Sequence, residues 1–247
     1  MEIDLNCDMG ESFGRYTLGQ DAALMPLITS ANIACGCHAG DPLVMQATLR
    51  LAGQHNVAAG AHPGWPDLQG FGRREMTFSP AEAEALVLYQ IGALAAFARA
   101  EGLELTHVKP HGALYNQAAR DPALAAAVAR AVRRFSRHLV LVGLAGSCSL
   151  AAAAEIGLPA AAEGFPDRAY LPDGSLMPRS QPGAVLESPV EVARNAVRLA
   201  QAGIGTGAID TLCLHGDHPR AVENARVVRD ALQLAGIEIA RFSGSQF

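Results

Sequence analysis

His107-Val108-Lys109-Pro110-His111-Gly112-Ala113-Leu114-Tyr115-Asn116 is the stretch from which the rest of the chain can be read. Leu105 to Lys109 is a short, largely apolar run. Pro110 fixes its own φ and lacks an N–H, so it ends any strand or helix at that point. As a strand, Leu105–Lys109 sends His107 and Lys109 to one face and Val108 to the other. Lys109 is the only lysine, and the other cationic side chains apart from histidine are arginines. A lysine kept in such a chain points to a need for a compact ammonium rather than a planar fork. An ammonium and two imidazoles at one strand end describe a site.

Working outward, the same unit recurs. Strand candidates are Glu2–Asn6, Ser30–Cys35, Asn56–Ala61, Leu105–Lys109, His138–Val142, Pro159–Glu163 and Asp210–His215. Helical stretches lie between them. Asp41-Pro42, Ser79-Pro80, Asp121-Pro122 and Ser188-Pro189 each set a capping side chain before a proline at the first helical position. Ser79…Glu82 and Ser188…Glu191 also have capping-box spacing. Gly102, Gly157, Gly203 and Gly236, each followed by an apolar residue, read as C-terminal caps. Alternation of this kind predicts an α/β chain with a parallel sheet covered by helices. Seven strands favour a single (β/α) barrel-like domain over 1–247, distorted or incomplete, with an open doubly wound sheet as the alternative. Either architecture binds ligands at the C-terminal ends of its strands.

Composition removes several classes. Half the residues are hydrophobic and the net charge is −5 with no basic stretch, which argues against disorder and against a nucleic-acid binder. Glu82, Glu84 and Arg99 interrupt the long apolar stretch 81–100, which argues against a membrane span. Five scattered cysteines and an N-terminus without a leader pattern predict a reduced, cytoplasmic chain.

Polar residues at the strand ends share parity. Asp4, Asn6 and Asp8 fall on one face, as do Asn32 and His38, Gly60 and His62, and His107, Lys109 and nominally His111. Glu163 closes the sixth strand ahead of Asp167 and Arg168, and Cys213, His215 and Asp217 share a face at the last. One acidic or imidazole group at nearly every strand end predicts an active-site rim. A metal site could draw on Asp8, His38, His62, His111, Glu163, His215 and Asp217. Pro110 denies His107 and His111 a common helical face, however, and Lys109 opposes a nearby cation, so no tightly bound metal is expected. There is no Gly-x-Ser-x-Gly elbow and no Walker loop. Gly143-Leu144-Ala145-Gly146-Ser147, after a strand and before a helix, offers Gly143 and Gly146 as a backbone nest for an anion. Gly203-Ile204-Gly205-Thr206-Gly207 follows a helix, the wrong order for a dinucleotide fingerprint. Gly70-Phe71-Gly72-Arg73-Arg74 reads as a lid bringing Arg73 or Arg74 to a carboxylate or phosphate, or as an exposed loop.

Taken together, 3–11, 31–42, 60–63, 70–74, 108–116, 163–168 and 215–217 resemble the LamB/YcsF family from end to end. The resemblance implies a barrel related to glycoside hydrolases and deacetylases. It also implies hydrolytic, ATP-dependent opening of 5-oxo-L-proline to L-glutamate, with magnesium accompanying ATP, in a complex with two partner subunits, B and C. On that reading Lys109 stabilises an oxyanion or a transferring phosphoryl group. Asp8, Glu163 or Asp217 positions water, with His62, His111 or His215 as proton partners. Arg73, Arg74 or Arg168 holds the substrate carboxylate, and Asn6 and His38 complete the binding face. The alternatives on the same barrel are a metal-dependent amide hydrolase that needs no ATP and a subunit that binds lactam or carbohydrate without reacting.

Overall fold

The computed structural model describes residues 1–178, 181–205, 207–217 and 219–241. Its strands are β1 (Glu2–Met9), β2 (Ser30–Ala34), β3 (Ala58–His62), β4 (Leu105–Val108), β5 (Val140–Leu144), β6 (Ala160–Gly164), β7 (Thr211–Leu214) and the short β8 (Glu238–Ile239). Its helices are α1 (Asp21–Leu24), α2 (Pro42–Gln54), α3 (Pro80–Ala100), α4 (Gly112–Arg120), α5 (Pro122–Phe135), α6 (Cys148–Glu155), α7 (Pro189–Ala202) and α8 (Ala221–Leu234). Strands β1 to β7 pair in parallel, each with the next. β1 also pairs with β7, which closes the ring. The expected seven-stranded barrel is therefore the fold, and the open sheet is excluded. β8 adds a two-residue pairing below β7, at Glu2 and Ile3 of β1.

Local chemistry explains most element ends. Asp41 and Asp121 accept from the first backbone N–H groups of α2 and α5, and Ser79 with Glu82 forms a complete capping box on α3. Ser188 makes no side-chain cap, so the second expected box is absent. Gly102, Gly157, Gly203 and Gly236 all have positive φ, as helix-ending glycines require. α4 begins directly after Pro110-His111, where the sequence suggested only a break. Among the described residues α3 is the one helix long and apolar enough, by length and composition, to cross a membrane, despite Glu82 and Glu84. It lies on the barrel instead, with Val87, Ile91 and Leu94 fully buried. Thr206 of the Gly203–Gly207 stretch lies outside the described residues.

The barrel sorts its side chains by parity. Ile3, Leu5, Cys7, Ile33, Val108, Leu141, Leu212 and Leu214 point outward into one apolar layer beneath the helices. The inward face is unusually polar for a (β/α) barrel, whose interior is normally filled by branched aliphatic side chains. At the bottom, Asp4 accepts from Thr29 (2.8 Å), Ser30 (2.5 Å) and Thr211 (2.6 Å). One layer up, Asn32 donates to Asn6 Oδ1 (2.7 Å), and Asn6 donates to Glu163 Oε1 (2.9 Å) and Thr211 (2.7 Å). His107 crosses the interior to meet Asn32 Oδ1 at 2.9 Å. Gly60 makes that crossing possible, because a Cβ there would lie 2.2 Å from His107 Nε2. A buried polar network linked in this way fixes the strands' mutual positions as well as their stability.

Candidate active site at the barrel mouth

The top inward layer carries the rim expected from the sequence. Lys109, 2 % exposed, donates to Asp8 Oδ1 at 2.8 Å and lies 3.2 Å from Glu163 Oε1, with Cys213 Sγ as a third partner. Burial alone would lower the Lys109 ammonium, but Asp8 first and then Glu163 outweigh it and hold the group well above the usual lysine range. Burial likewise opposes ionisation of Asp8, and His62 and Lys109 overcome that and keep its carboxyl well below the usual range. The pair is therefore charged in the folded chain. Burial, then Asp8, pushes the Cys213 thiol up, so it is a neutral neighbour and no nucleophile.

Beside this pair is a histidine cluster. His62 Nδ1 meets the Lys109 carbonyl at 2.6 Å, and His111 Nε2 meets the Phe71 carbonyl at 2.8 Å. A carbonyl only accepts, so each of those nitrogens carries the proton. The opposite nitrogens, His62 Nε2 and His111 Nδ1, face each other at 3.0 Å. His38 stacks on His111 with centroids 3.7 Å apart and meets Glu11 Oε1 through Nε2 at 3.4 Å. Glu11, absent from the sequence reading of the site, arrives because Gly10 (φ +67°) turns the chain after β1. Glu11 Oε1 is also 3.5 Å from His111 Nδ1. Gly72 (φ +62°) lays the 70–74 loop over this cluster, and a Cβ there would come within 2.7 Å of His38 Cβ.

Above Lys109 opens a cleft of about 770 Å³, a volume suited to a small molecule. Asp8, His62, Lys109, His111, Arg73, Arg168, Gly146, His215 and Asp217 all line it. His215 Nδ1 meets Asp167 Oδ2 at 2.7 Å, and its ring stacks on Phe165, so the imidazole is aimed and held by a carboxylate. Arg73 bonds Asp217 at 2.6 Å and lies over the Phe71 ring.

Other expected residues sit elsewhere. Glu163 and Asn6 are buried beneath the cleft and act on it through Lys109. His38 lies behind His111, out of the open space. Arg74 turns away to pair with Asp67. Arg168 reaches the cleft wall, yet its guanidinium donates to the Ala184 and Met177 carbonyls and ties down the excursion between β6 and α7. Gly143 faces α6, where a Cβ would stand 3.1 Å from Ser149, so the anion nest reduces to Gly146 and Ser147. The Ser147 hydroxyl is buried, has no hydrogen-bond partner and does not cap α6.

A match to the LamB/YcsF family spans residues 3–246. The chain belongs to the LamB/YcsF family. It is 53% identical over 247 residues, 97% of this chain and 98% of the relative, to a protein of Syntrophobacter fumaroxidans named as the A component of 5-oxoprolinase. The crystal structure of a lactam utilization protein from Thermus thermophilus superposes with a TM-score of 0.91 at 51% identity, covering 98% of this chain and 100% of that one. The catalytic domain of a peptidoglycan N-acetylglucosamine deacetylase from Eubacterium rectale shares the fold alone, with a TM-score of 0.53 at 11% identity over 99% of this chain and 90% of that one. The kinship with deacetylase barrels expected from the family resemblance thus holds at the level of fold.

Proposed function

We propose that this chain works in a 5-oxoprolinase in the cytoplasm. With two partner subunits, B and C, it would open 5-oxo-L-proline to L-glutamate while magnesium-bound ATP becomes ADP and phosphate. The observation that carries the reading is the Lys109 ammonium, held by Asp8 and Glu163 on the floor of a small-molecule cleft. It stands in a chain about half identical, end to end, to proteins named for that activity.

A lactam carbonyl is a poor electrophile. Transfer of the γ-phosphoryl group to its oxygen, with ADP leaving, converts the carbon into one that water can attack. The C–N bond then breaks as the nitrogen takes a proton, and a second water releases phosphate. Lys109 supports the negative charge that develops at the oxygen. His215, oriented by Asp167 through Nδ1, presents Nε2 as the proton acceptor for water. Arg73 is partly exposed and suits the substrate carboxylate. Gly146 and the unpartnered Ser147 hydroxyl suit a phosphate. Phe13, Tyr16, Leu43 and Leu68 are exposed on loops and a helix start that follow β1, β2 and β3, on the mouth side of the barrel. Their placement favours partners that cover the cleft.

The test is a reconstitution series that follows ADP and glutamate together. The chain alone should form little or no glutamate from 5-oxoproline and ATP, and both partners should restore coupled turnover. Glutamate formed without ATP would overturn the reading, and full coupled turnover by the chain alone would remove the partners from it.

A further inference from the structure

We infer that Glu11, His38, His62 and His111 form a closed site for a divalent transition metal of the zinc class, which ties the ends of four strands together. The inference stands on geometry and does not depend on the proposed reaction.

One potential ligand atom from each residue lies within 4.8 Å of the other three, and all four residues are buried. The separations of 3.0 Å (His62 Nε2 to His111 Nδ1), 3.4 Å (His38 Nε2 to Glu11) and 3.5 Å (His111 Nδ1 to Glu11) bracket one value. That value is the edge of a tetrahedron around a zinc bound at about 2.0–2.1 Å, which is roughly 3.3 Å. Three imidazoles and a carboxylate are the donor types such an ion takes.

Proton bookkeeping points the same way. His62 and His111 each give one proton to a backbone carbonyl, which turns their opposite nitrogens toward each other. Glu11 Oε1 and Asp8 Oδ2, the latter 3.3 Å from His62 Nε2, add acceptors to the same space. Groups that converge in this way need a positive charge among them: without metal a second proton on His62 supplies it, and a bound metal takes that proton's place. Backbone carbonyls on the far nitrogens are also the outer partners by which metal-bound histidines are held in one tautomer.

The donor set selects the cation. Glu11 and Asp8 are buried beside the three imidazoles, and a carboxylate taken out of water is stabilised by a cation bound against it. Lys109 does not oppose it, because Asp8 stands between, giving Oδ1 to the ammonium and Oδ2 to His62. That shielding answers one of the two reasons for expecting no metal, and the other, the missing helical face for His107 and His111, does not bear on ligands drawn from four different strand ends. Glu11, His38 and His111 follow β1, β2 and β4, and His62 is the last residue of β3, so one ion would hold half of the barrel mouth. Four protein donors leave no open position, the mark of a structural site.

The experiment uses the full chain without a histidine tag. Elemental analysis after equilibration with zinc and gel filtration should give about one equivalent per chain. Cobalt loading should give the strong visible absorption of a tetrahedral centre, a readout that needs no variant. Chelation should lower the melting temperature, and zinc should restore it. Glu11→Gln and His38→Ala should lose stoichiometric metal, while the exposed His55→Ala keeps it. If a variant fails to fold, the cobalt spectrum and chelation shift of the parent still decide. No retained zinc with no tetrahedral cobalt spectrum would overturn the inference, as would undiminished binding by both variants.

Discussion

The two sides of the barrel mouth are built differently. On the side fed by β1 to β4, Asp8, Glu11, His38, His62, Lys109 and His111 are buried and joined to one another by contacts of 2.6 to 3.5 Å. On the side fed by β5 and β6, the cleft is walled by Gly146, Ser147, Leu171, Asp173 and Met177, and its arginine is committed to backbone carbonyls. The first side holds charges whose positions cannot relax, which is what stabilisation of a developing charge requires. The second offers shape and one unused hydroxyl, which is what binding requires. A rigid electrostatic wall facing an adaptable one assigns rate to the first and affinity to the second.

The largest expected effect attacks the first side. Lys109→Met should lower coupled turnover of the reconstituted enzyme by at least about 100-fold. It should also destabilise the chain by about 3–5 kcal/mol, because Asp8 and Glu163 would be left buried without their cation. Lys109→Arg should keep the charge yet not restore the rate, since a planar fork cannot occupy the space of an ammonium ringed by three partners. Turnover and urea unfolding measured on the same samples separate the two losses. A folded Lys109→Met chain with near-normal turnover would move the chemistry away from this side.

A second prediction concerns the base of the same barrel half, where a carboxylate is buried without an ammonium. Burial pushes the Asp4 carboxyl up to about 6, against the opposing hydrogen bonds from Ser30, Thr211 and Thr29. The folded chain then keeps a proton that the unfolded chain, at an ordinary value near 3.8, has released. Stability from this group is present at low pH and is lost as pH rises from about 4 to about 6, by roughly 3 kcal/mol. Asp4→Asn removes that titration. Relative to the parent, the variant should therefore gain stability as pH rises through this window, whatever its absolute stability. A difference that stays constant between pH 4 and pH 7 would mean that Asp4 is ionised throughout, and that only the mouth holds unusual charges.

How far the sequence discloses this asymmetry depends on how far the pleat extends. Within strands the period of two is strict, so Asp8, His62, Lys109 and Glu163 are legible as one inward face. Past the strand ends the rule lapses. Glu11 escapes because Gly10 turns the chain back, and His38 and His111 are legible as polar but not as stacked partners. Arg73 and Arg74 look equivalent, but consecutive residues in a loop diverge, and only Arg73 lines the cleft. Arg168 has the right residue type in the right place, with its donors already committed. The metal question turns on tautomers set by the carbonyls of Lys109 and Phe71, and no spacing in the sequence encodes those.

The smallest effect tests the second side. Ser147 precedes α6 but does not use its hydroxyl to cap the helix, although serine there normally does. A hydroxyl withdrawn from its helix and buried without a partner at a cleft wall carries a cost that a ligand's acceptor would cancel. Because the helix gains nothing from it, Ser147→Ala should leave the melting temperature almost unchanged. If the wall binds a phosphate, the same change should raise the KM for ATP in the reconstituted enzyme about tenfold with kcat retained, since an interaction made equally in ground and transition states is lost. Steady-state kinetics over a range of ATP concentrations check this. A fall in kcat with KM unchanged would place Ser147 on the rate-setting machinery and erase the distinction between the two walls. A change in neither would confine phosphate binding to the partners.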